Sequence, residues 1–186
     1  MPLPFSLHDG VTLRLLRPGD GAALADAYSR NRDHLAPWEP ARTEAFFTAE
    51  RQTAQVFAGL REHEAGRQWP LVLERSGEIV GRVNVNDVVG GVFQNGHLGY
   101  WVDVGLAGRG IMSAAVHATV ALARDDLGLH RLQAATLPHN TASQRVLERA
   151  GFERIGTAPQ YLRIAGEWQD HLLFQRILPE TGTNPA

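Results

Sequence analysis

A chain of 186 residues with 44% apolar and 20% charged side chains has the length of one soluble globular domain, able to bury roughly 70% of the surface its unfolded form exposes. A formal net charge of −2 gives no general pull towards nucleic acid. Cysteine is absent and every basic residue is arginine, which excludes disulfides, thiolate zinc sites, a cysteine nucleophile, a Schiff-base lysine and a P-loop lysine. The eight histidines show no His-Glu-x-x-His spacing, so no metal is expected. Residues 1–5 lack a basic region followed by a long apolar one, and the most apolar helical run, 111–123, is too short for a bilayer and contains His117. A cytoplasmic protein without membrane contact is expected.

In chain order, residues 11–16 (Val-Thr-Leu-Arg-Leu-Leu) read as a strand. Pro18-Gly19-Asp20 forms a turn with a candidate cap, and 22–30 a helix. Pro37 and Pro40 forbid a continuous helix through the next segment. Thr43 is placed as the cap of a helix running to Ala65 and stopped by Gly66. Residues 69–75 and 79–89 read as strands joined at Ser76-Gly77, and Gly90-Gly91 and Asn95-Gly96 punctuate a further reversal. A strand over 98–104 meets a glycine turn and then a helix over 111–126, whose alanines suit close packing on a sheet. A strand at 131–136, a helix at 141–149 stopped by Gly151, and extended chain at 152–155, 161–164 and 168–178 complete the pattern. The mixture predicts an α/β or α+β fold in a single domain over 1–178, with 179–186 as a disordered tail.

The stretch Gly99-Tyr-Trp-Val-Asp-Val-Gly-Leu-Ala-Gly-Arg-Gly-Ile-Met-Ser113 organises this pattern. A strand that ends in a glycine turn at a helix start is an anion site, because glycine admits close backbone approach and the first helical N–H groups lack internal partners. A P-loop fails here: Gly105 and Gly110 have the glycine spacing, but Ile111 and Met112 stand where Lys and Ser/Thr are required. A dinucleotide fingerprint fits poorly, since Ser113 occupies the third glycine position and no acidic residue closes a βαβ unit. A plain strand-to-helix turn without a ligand is the remaining alternative.

Here the chain resembles the GNAT acetyltransferase superfamily, of the RimJ/RimL ribosomal-protein N-acetyltransferase type. Gly108-Arg109-Gly110 matches the second half of the superfamily's Gln/Arg-x-x-Gly-x-Gly/Ala loop, and the whole stretch from Gly99 to Ser113 is similar to the RimJ/RimL form. His130-Arg131-Leu132, Asn140-Thr141-Ala142-Ser143 and the run from Val146 to Phe152 follow in family order. Asn31, His34-Leu35 and Trp38-Glu39-Pro40 resemble the family's N-terminal segment. Gly105 departs from the pattern at the Gln/Arg position, which backbone N–H donors can tolerate.

The resemblance implies a GNAT fold, a mostly antiparallel twisted sheet with a splayed parallel strand pair at the cofactor site and helices on both faces. It implies acetyl-CoA as cofactor, with Val102, Asp103 and Val104 alongside the pantetheine arm. Ala107, Gly108, Arg109, Gly110, Ile111, Met112 and Ser113 would lie around the pyrophosphate. Asn140 is expected at the pantetheine amide and Ser143 near the leaving thiolate; Asn140 serves equally well as the N-cap of its helix. The tyrosine that many superfamily members carry seven residues after this asparagine is Leu147 here, and Gln160 stands where some RimL-type enzymes carry a glutamate base.

The missing base favours particular acceptors. At pH 7 an α-amine with pKa ~8 is roughly 10% neutral, against about 0.04% for a lysine at ~10.4. The expected substrate is therefore a protein N-terminal α-amine or a small-molecule amine. Trp38, Glu39, Asn84, Asn86 and Tyr161 are the candidate acceptor-binding residues. Two other functions stay open: an acyl-CoA sensor without turnover, and an antibiotic or metabolite acetyltransferase. A homodimer through Phe93 or the hairpin at Trp168 is a further expectation.

Overall fold

The computed structural model describes residues 3–179, so nearly all of the expected tail lies outside the described residues. One eight-stranded sheet carries the fold. In chain order its strands are β1 (Phe5–Ser6), β2 (Val11–Leu15), β3 (Trp69–Arg75), β4 (Glu78–Val89), β5 (Asn95–Val102), β6 (Arg131–Thr136), β7 (Glu153–Ile164) and β8 (Glu167–Ile177). Their spatial order is β1-β2-β3-β4-β5-β6-β8-β7. Every neighbouring pair is antiparallel except β5 and β6, which run parallel. The helices are α1 (Gly21–Arg30), α2 (Arg32–Leu35), α3 (Ala49–Glu64), α4 (Ile111–Asp125) and α5 (Thr141–Arg149).

Period-two alternation in the strands builds a core on each face of the sheet. Leu71, Leu73, Val83, Val85 and Leu98 join Ile111, Ala115, Val116 and Leu122 of α4 and Leu147 of α5 in the larger core. Val72, Ile79 and Trp101 point the other way and pack with Leu24 and Ala27 of α1, Leu35 of α2 and Val56 of α3. Each fully buried Leu or Ile contributes about 1.5–3 kcal/mol relative to exposure. The α1–α3 crossing is tight enough that a Cβ on Gly21 would lie 2.8 Å from Thr53 Cα.

Several boundaries differ from the sequence expectation. Thr43 precedes a 3-10 turn, Glu44–Phe47, and α3 starts later, with the Thr48 hydroxyl accepting from Arg51 N at 3.3 Å. Asp20 does not cap α1 with its side chain. Its carboxylate takes both Arg14 guanidinium nitrogens (2.8 and 2.9 Å) and Arg17 N (2.7 Å), an internal partner being the stronger claim on a buried charge. The strand expected over 98–104 starts earlier, at Asn95, and ends at Val102, because Asp103 turns the chain into a short 3-10 element, Val104–Leu106. The extended pieces at 152–155 and 161–164 are one bulged strand, β7. Phe93 and Trp168, the candidate dimer contacts, are both exposed. Among the described residues no helix is long and apolar enough to cross a membrane.

Candidate active site

The parallel pair is brief. Asn95, Gly96 and His97 of β5 pair with Arg131, Leu132 and Gln133 of β6, and there the pairing stops. Residues 98–102 continue along β4 on one side but meet no strand on the other, so that edge of β5 offers peptide groups without a sheet partner. The strands diverge into a cleft of about 470 Å³, walled by Tyr100 to Val102, the start of α4, the first turns of α5 and the segment from His34 to Glu39.

At the floor of this cleft the glycine turn takes the backbone course that the sequence suggests. Gly108 and Gly110 have φ of +76° and +82°, values that side chains other than glycine's resist. Gly110 is the N-cap of α4 and supplies no side chain, so the N–H groups of Ile111, Met112 and Ser113 are left for a ligand. Gly108, Gly110, Ile111, Met112 and Ser113 line the cleft, whereas Asp103, Val104, Ala107 and Arg109 do not. Asp103 instead ties the turn to α1 and α2. Its Oδ2 accepts from Arg30 Nε (2.8 Å) and Asn31 Nδ2 (2.9 Å), and its Oδ1 from Gly105 N (2.9 Å). Burial alone would raise the Asp103 pKa, but the bonds from Asn31, Arg30 and Gly105 outweigh it and hold the carboxyl below the usual range. Fully buried Asn31 completes the tie by accepting from Val104 N at 2.9 Å.

Above the floor, Asn140 caps α5: its Oδ1 accepts from Ser143 N at 3.0 Å. Its Nδ2 has no acceptor among the described residues, which leaves a donor at the cleft wall. Ser143 Oγ lies 2.9 Å from the Tyr100 hydroxyl, which also donates to the Ser143 carbonyl at 3.2 Å. Burial pushes the Tyr100 phenol up to about 12 against the opposing hydrogen bond from Ser143, so it keeps its proton at neutral pH. Leu147 is fully buried in the core and does not face the cleft. Tyr100, within Gly99-Tyr100-Trp101, thus puts a second hydroxyl beside Ser143, the residue expected near the thiolate. Arg145 and Arg149, one turn apart on α5, add two cations to the wall, and their i, i+4 spacing was the available signal.

Across the cleft stand Trp38 and Glu39. The Trp38 ring lies 5.4 Å from that of His139, bridging the α2 segment to the turn before α5. Burial raises the Glu39 pKa, with Arg42 (Nη2 to Oε2, 3.3 Å) and Arg82 pulling the other way. Asn84 and Asn86 do not line the cleft. They share a polar row on the α1/α3 face, where Asn84 accepts from Arg82 Nη2 (3.3 Å) and Asn86 from Gln68 Nε2 (2.6 Å). Tyr161 is exposed on β7, 5.7 Å from the His171 ring. Gln160 sits on the β7 bulge, exposed, at φ +47°, with its N–H donating to Asp170.

Residues 11–153 match the model of the acetyltransferase (GNAT) domain. The chain belongs to the GNAT acetyltransferase family. It is 34% identical over 174 residues to the [ribosomal protein uS5]-alanine N-acetyltransferase of Escherichia coli K12, covering 92% of this chain and 90% of that one. The crystal structure of the ribosomal-protein-S5-alanine acetyltransferase from Vibrio fischeri superposes with a TM-score of 0.92 at 34% identity, covering 99% of this chain and all of that one. Mycobacterium smegmatis RimJ in complex with CoA-disulfide gives 0.87 at 32% identity, covering 93% and 84%.

As a GNAT enzyme the protein is an acetyl-CoA-dependent N-acetyltransferase. The residues present fit that cofactor. The uncapped start of α4 supplies donors for a pyrophosphate, and the unpaired edge of β5 supplies peptide groups for an amide-bearing arm.

Proposed function

We propose that this GNAT acetylates a primary α-amine, of a protein N-terminus or a small molecule, in the cleft that Glu39, Tyr100 and Ser143 line. The observation that carries this reading is that one cavity is lined both by the Tyr100–Ser143 hydroxyl pair and by a largely buried carboxylate. A ribosomal-protein N-terminus is the first candidate acceptor, since the E. coli relative is named for an alanine of uS5.

Bound acetyl-CoA supplies the activated acetyl thioester. The unpaired edge of β5 over 98–102 would support its arm, and Gly108, Gly110 and the N–H groups of Ile111, Met112 and Ser113 its pyrophosphate, while Arg145 and Arg149 add positive charge near its phosphates. Asn140 caps α5 through Oδ1 and offers Nδ2 to a pantetheine carbonyl. Glu39 takes a proton from the incoming ammonium, a task helped by a pKa above the ordinary carboxylate range. The Tyr100–Ser143 pair donates a hydrogen bond towards the departing sulfur. Burial keeps the Tyr100 phenol protonated, so the pair would steady the departing thiolate by hydrogen bonding, and the proton that ends on sulfur would balance the one the attacking amine loses. Trp38 forms the wall beside Glu39. Asn84, Asn86 and Tyr161 stand outside the cleft and are given no role in this reading.

The test is acetyl transfer from acetyl-CoA to a peptide with a free α-amine, followed by thiol release and mass spectrometry. Release of one thiol per acetylated N-terminus supports the proposal. Binding of CoA with no thiol release above background would mark an acyl-CoA sensor, and transfer to small amines alone a metabolite or antibiotic enzyme.

A further inference from the structure

Behind Glu39 lies a second cavity, of about 260 Å³, that the donor chemistry does not use. Tyr28, Phe46 and Phe47 form its walls, with Tyr28 and Phe46 edge to face at 4.9 Å and Phe46 and Phe47 at 5.3 Å. Two guanidinium groups lie over these rings, Arg42 at 4.2 Å from Phe46 and Arg32 at 4.5 Å from Phe47. Both already have carboxylates: Arg42 pairs with Glu39 and Arg32 with Glu44. Charge at the rim is therefore matched within the protein, and what remains inside is an apolar, aromatic space. A cavity of ~150 Å³ lined by apolar groups suffices for benzene, so this one has room for a benzyl or branched aliphatic group.

Its position identifies the occupant. Leu35 and Glu39 line both this cavity and the cofactor cleft. The β7–β8 turn is held against the partition, with Ala165 N donating to the Glu39 carbonyl at 2.9 Å. An amine delivered to Glu39 has its own side chain one carbon away, and the next residue's Cα about 3.8 Å further on. Groups of either residue can turn into the cavity.

We infer that this cavity is an acceptor specificity pocket that takes an apolar or aromatic side chain from the first or second residue of the peptide being acetylated. The inference rests on the α-amine reading above. It places Tyr28, Phe46 and Phe47 as specificity determinants that never touch the reacting atoms.

The experiment compares kcat/KM for peptides carrying Ala, Asp, Leu or Phe at position 1 or at position 2. The wild type is compared with Ala41→Phe and Ala36→Leu, two substitutions that fill the cavity from exposed positions outside the cofactor cleft. The wild type is expected to favour Leu or Phe over Ala and Asp at one position by roughly tenfold or more, the scale of apolar discrimination in such pockets. Each variant should remove that preference while leaving unchanged the rate on the small-residue peptide, the KM for acetyl-CoA and the rise in Tm on adding CoA. Equal rates with all side chains in the wild type, or a preference that survives in both variants, would overturn the pocket while leaving α-amine transfer standing. No thiol release above background with any of the peptides would sink both readings.

Discussion

Tyr100 and Ser143, on a strand and a helix 43 positions apart, meet hydroxyl to hydroxyl at 2.9 Å where β5 and β6 separate. Neither residue could hold this geometry alone. Ser143 is positioned by the Asn140 cap, and Tyr100 by the last antiparallel pairs of β5 with β4.

Tyr100→Phe keeps the ring and removes the donor. A hydrogen bond to a developing charge is worth about 1.5–3 kcal/mol, so kcat should fall roughly 10- to 100-fold with little change in the KM for acetyl-CoA. Ser143→Ala should cost a similar factor. The double variant should be little worse than either single one, because the pair acts as a unit. Steady-state kinetics of the three proteins checks this.

Glu39→Gln should abolish most α-amine transfer at pH 7 while leaving CoA binding intact. Burial outweighs its pairing with Arg42, so its stability effect has the opposite sign to that of a carboxylate whose pKa is depressed. Burial raises the folded-state pKa, so the ionised form is a cost to the fold that appears as pH rises through that pKa and is absent below the unfolded value. The glutamine variant should thus be as stable as the wild type at pH 7, or slightly more so. The acid limb of the wild-type kcat/KM profile should lie above the ordinary carboxylate range and vanish in the variant.

Asn31→Ala strips one donor from Asp103 and leaves Val104 N without its acceptor. With the bond from Asn31 Nδ2 to the Ala27 carbonyl, three side-chain hydrogen bonds are lost, which should cost about 2–3 kcal/mol, a fall in Tm of roughly 4–12 °C for a chain of this size. The Asp103 pKa is depressed in the fold. Its contribution is therefore complete above the unfolded carboxylate pKa and is lost as pH falls through the lower folded value. The gap in Tm between wild type and variant should narrow in strong acid.

The glycine turn was legible because its requirement is local: positive φ at Gly108 and Gly110 and an uncapped helix start are written in adjacent residues. The Asn140 cap was legible for the same reason. What escaped notice was long-range. Asn31 is a member of the N-terminal motif, but its bonds to Asp103 and Val104 join segments more than 70 positions apart. Gln160 lies on β7, away from the cleft, whereas the carboxylate that lines the cleft is Glu39, in the segment between Pro37 and Pro40 that follows α2. Thr43 and Thr48 both suit a cap, and it is the Thr48 hydroxyl that accepts from Arg51 N and opens the helix.

Gly110→Ala would place a Cβ at φ +82° with its nearest neighbour, His8 Nε2, 3.8 Å away, so the cost is backbone strain rather than collision. About 1–2 kcal/mol of strain is expected. If the turn relaxes to relieve it, the α4 N–H groups lose their aim, and the KM for acetyl-CoA should rise roughly tenfold with kcat less affected. Titration of CoA by calorimetry reads this directly.

The central claim concerns where the acetyl group goes, and one competition measures it. The enzyme contains no lysine, so it contributes no lysine background of its own. A peptide with a free N-terminus and an internal lysine is incubated with acetyl-CoA, and the acetylated site is located by fragment mass spectrometry while thiol release is counted. The account predicts one thiol released per peptide and acetylation confined to the α-amine, with Glu39→Gln and Tyr100→Phe slowing the same product. Acetylation of the lysine at an equal or greater rate would contradict it.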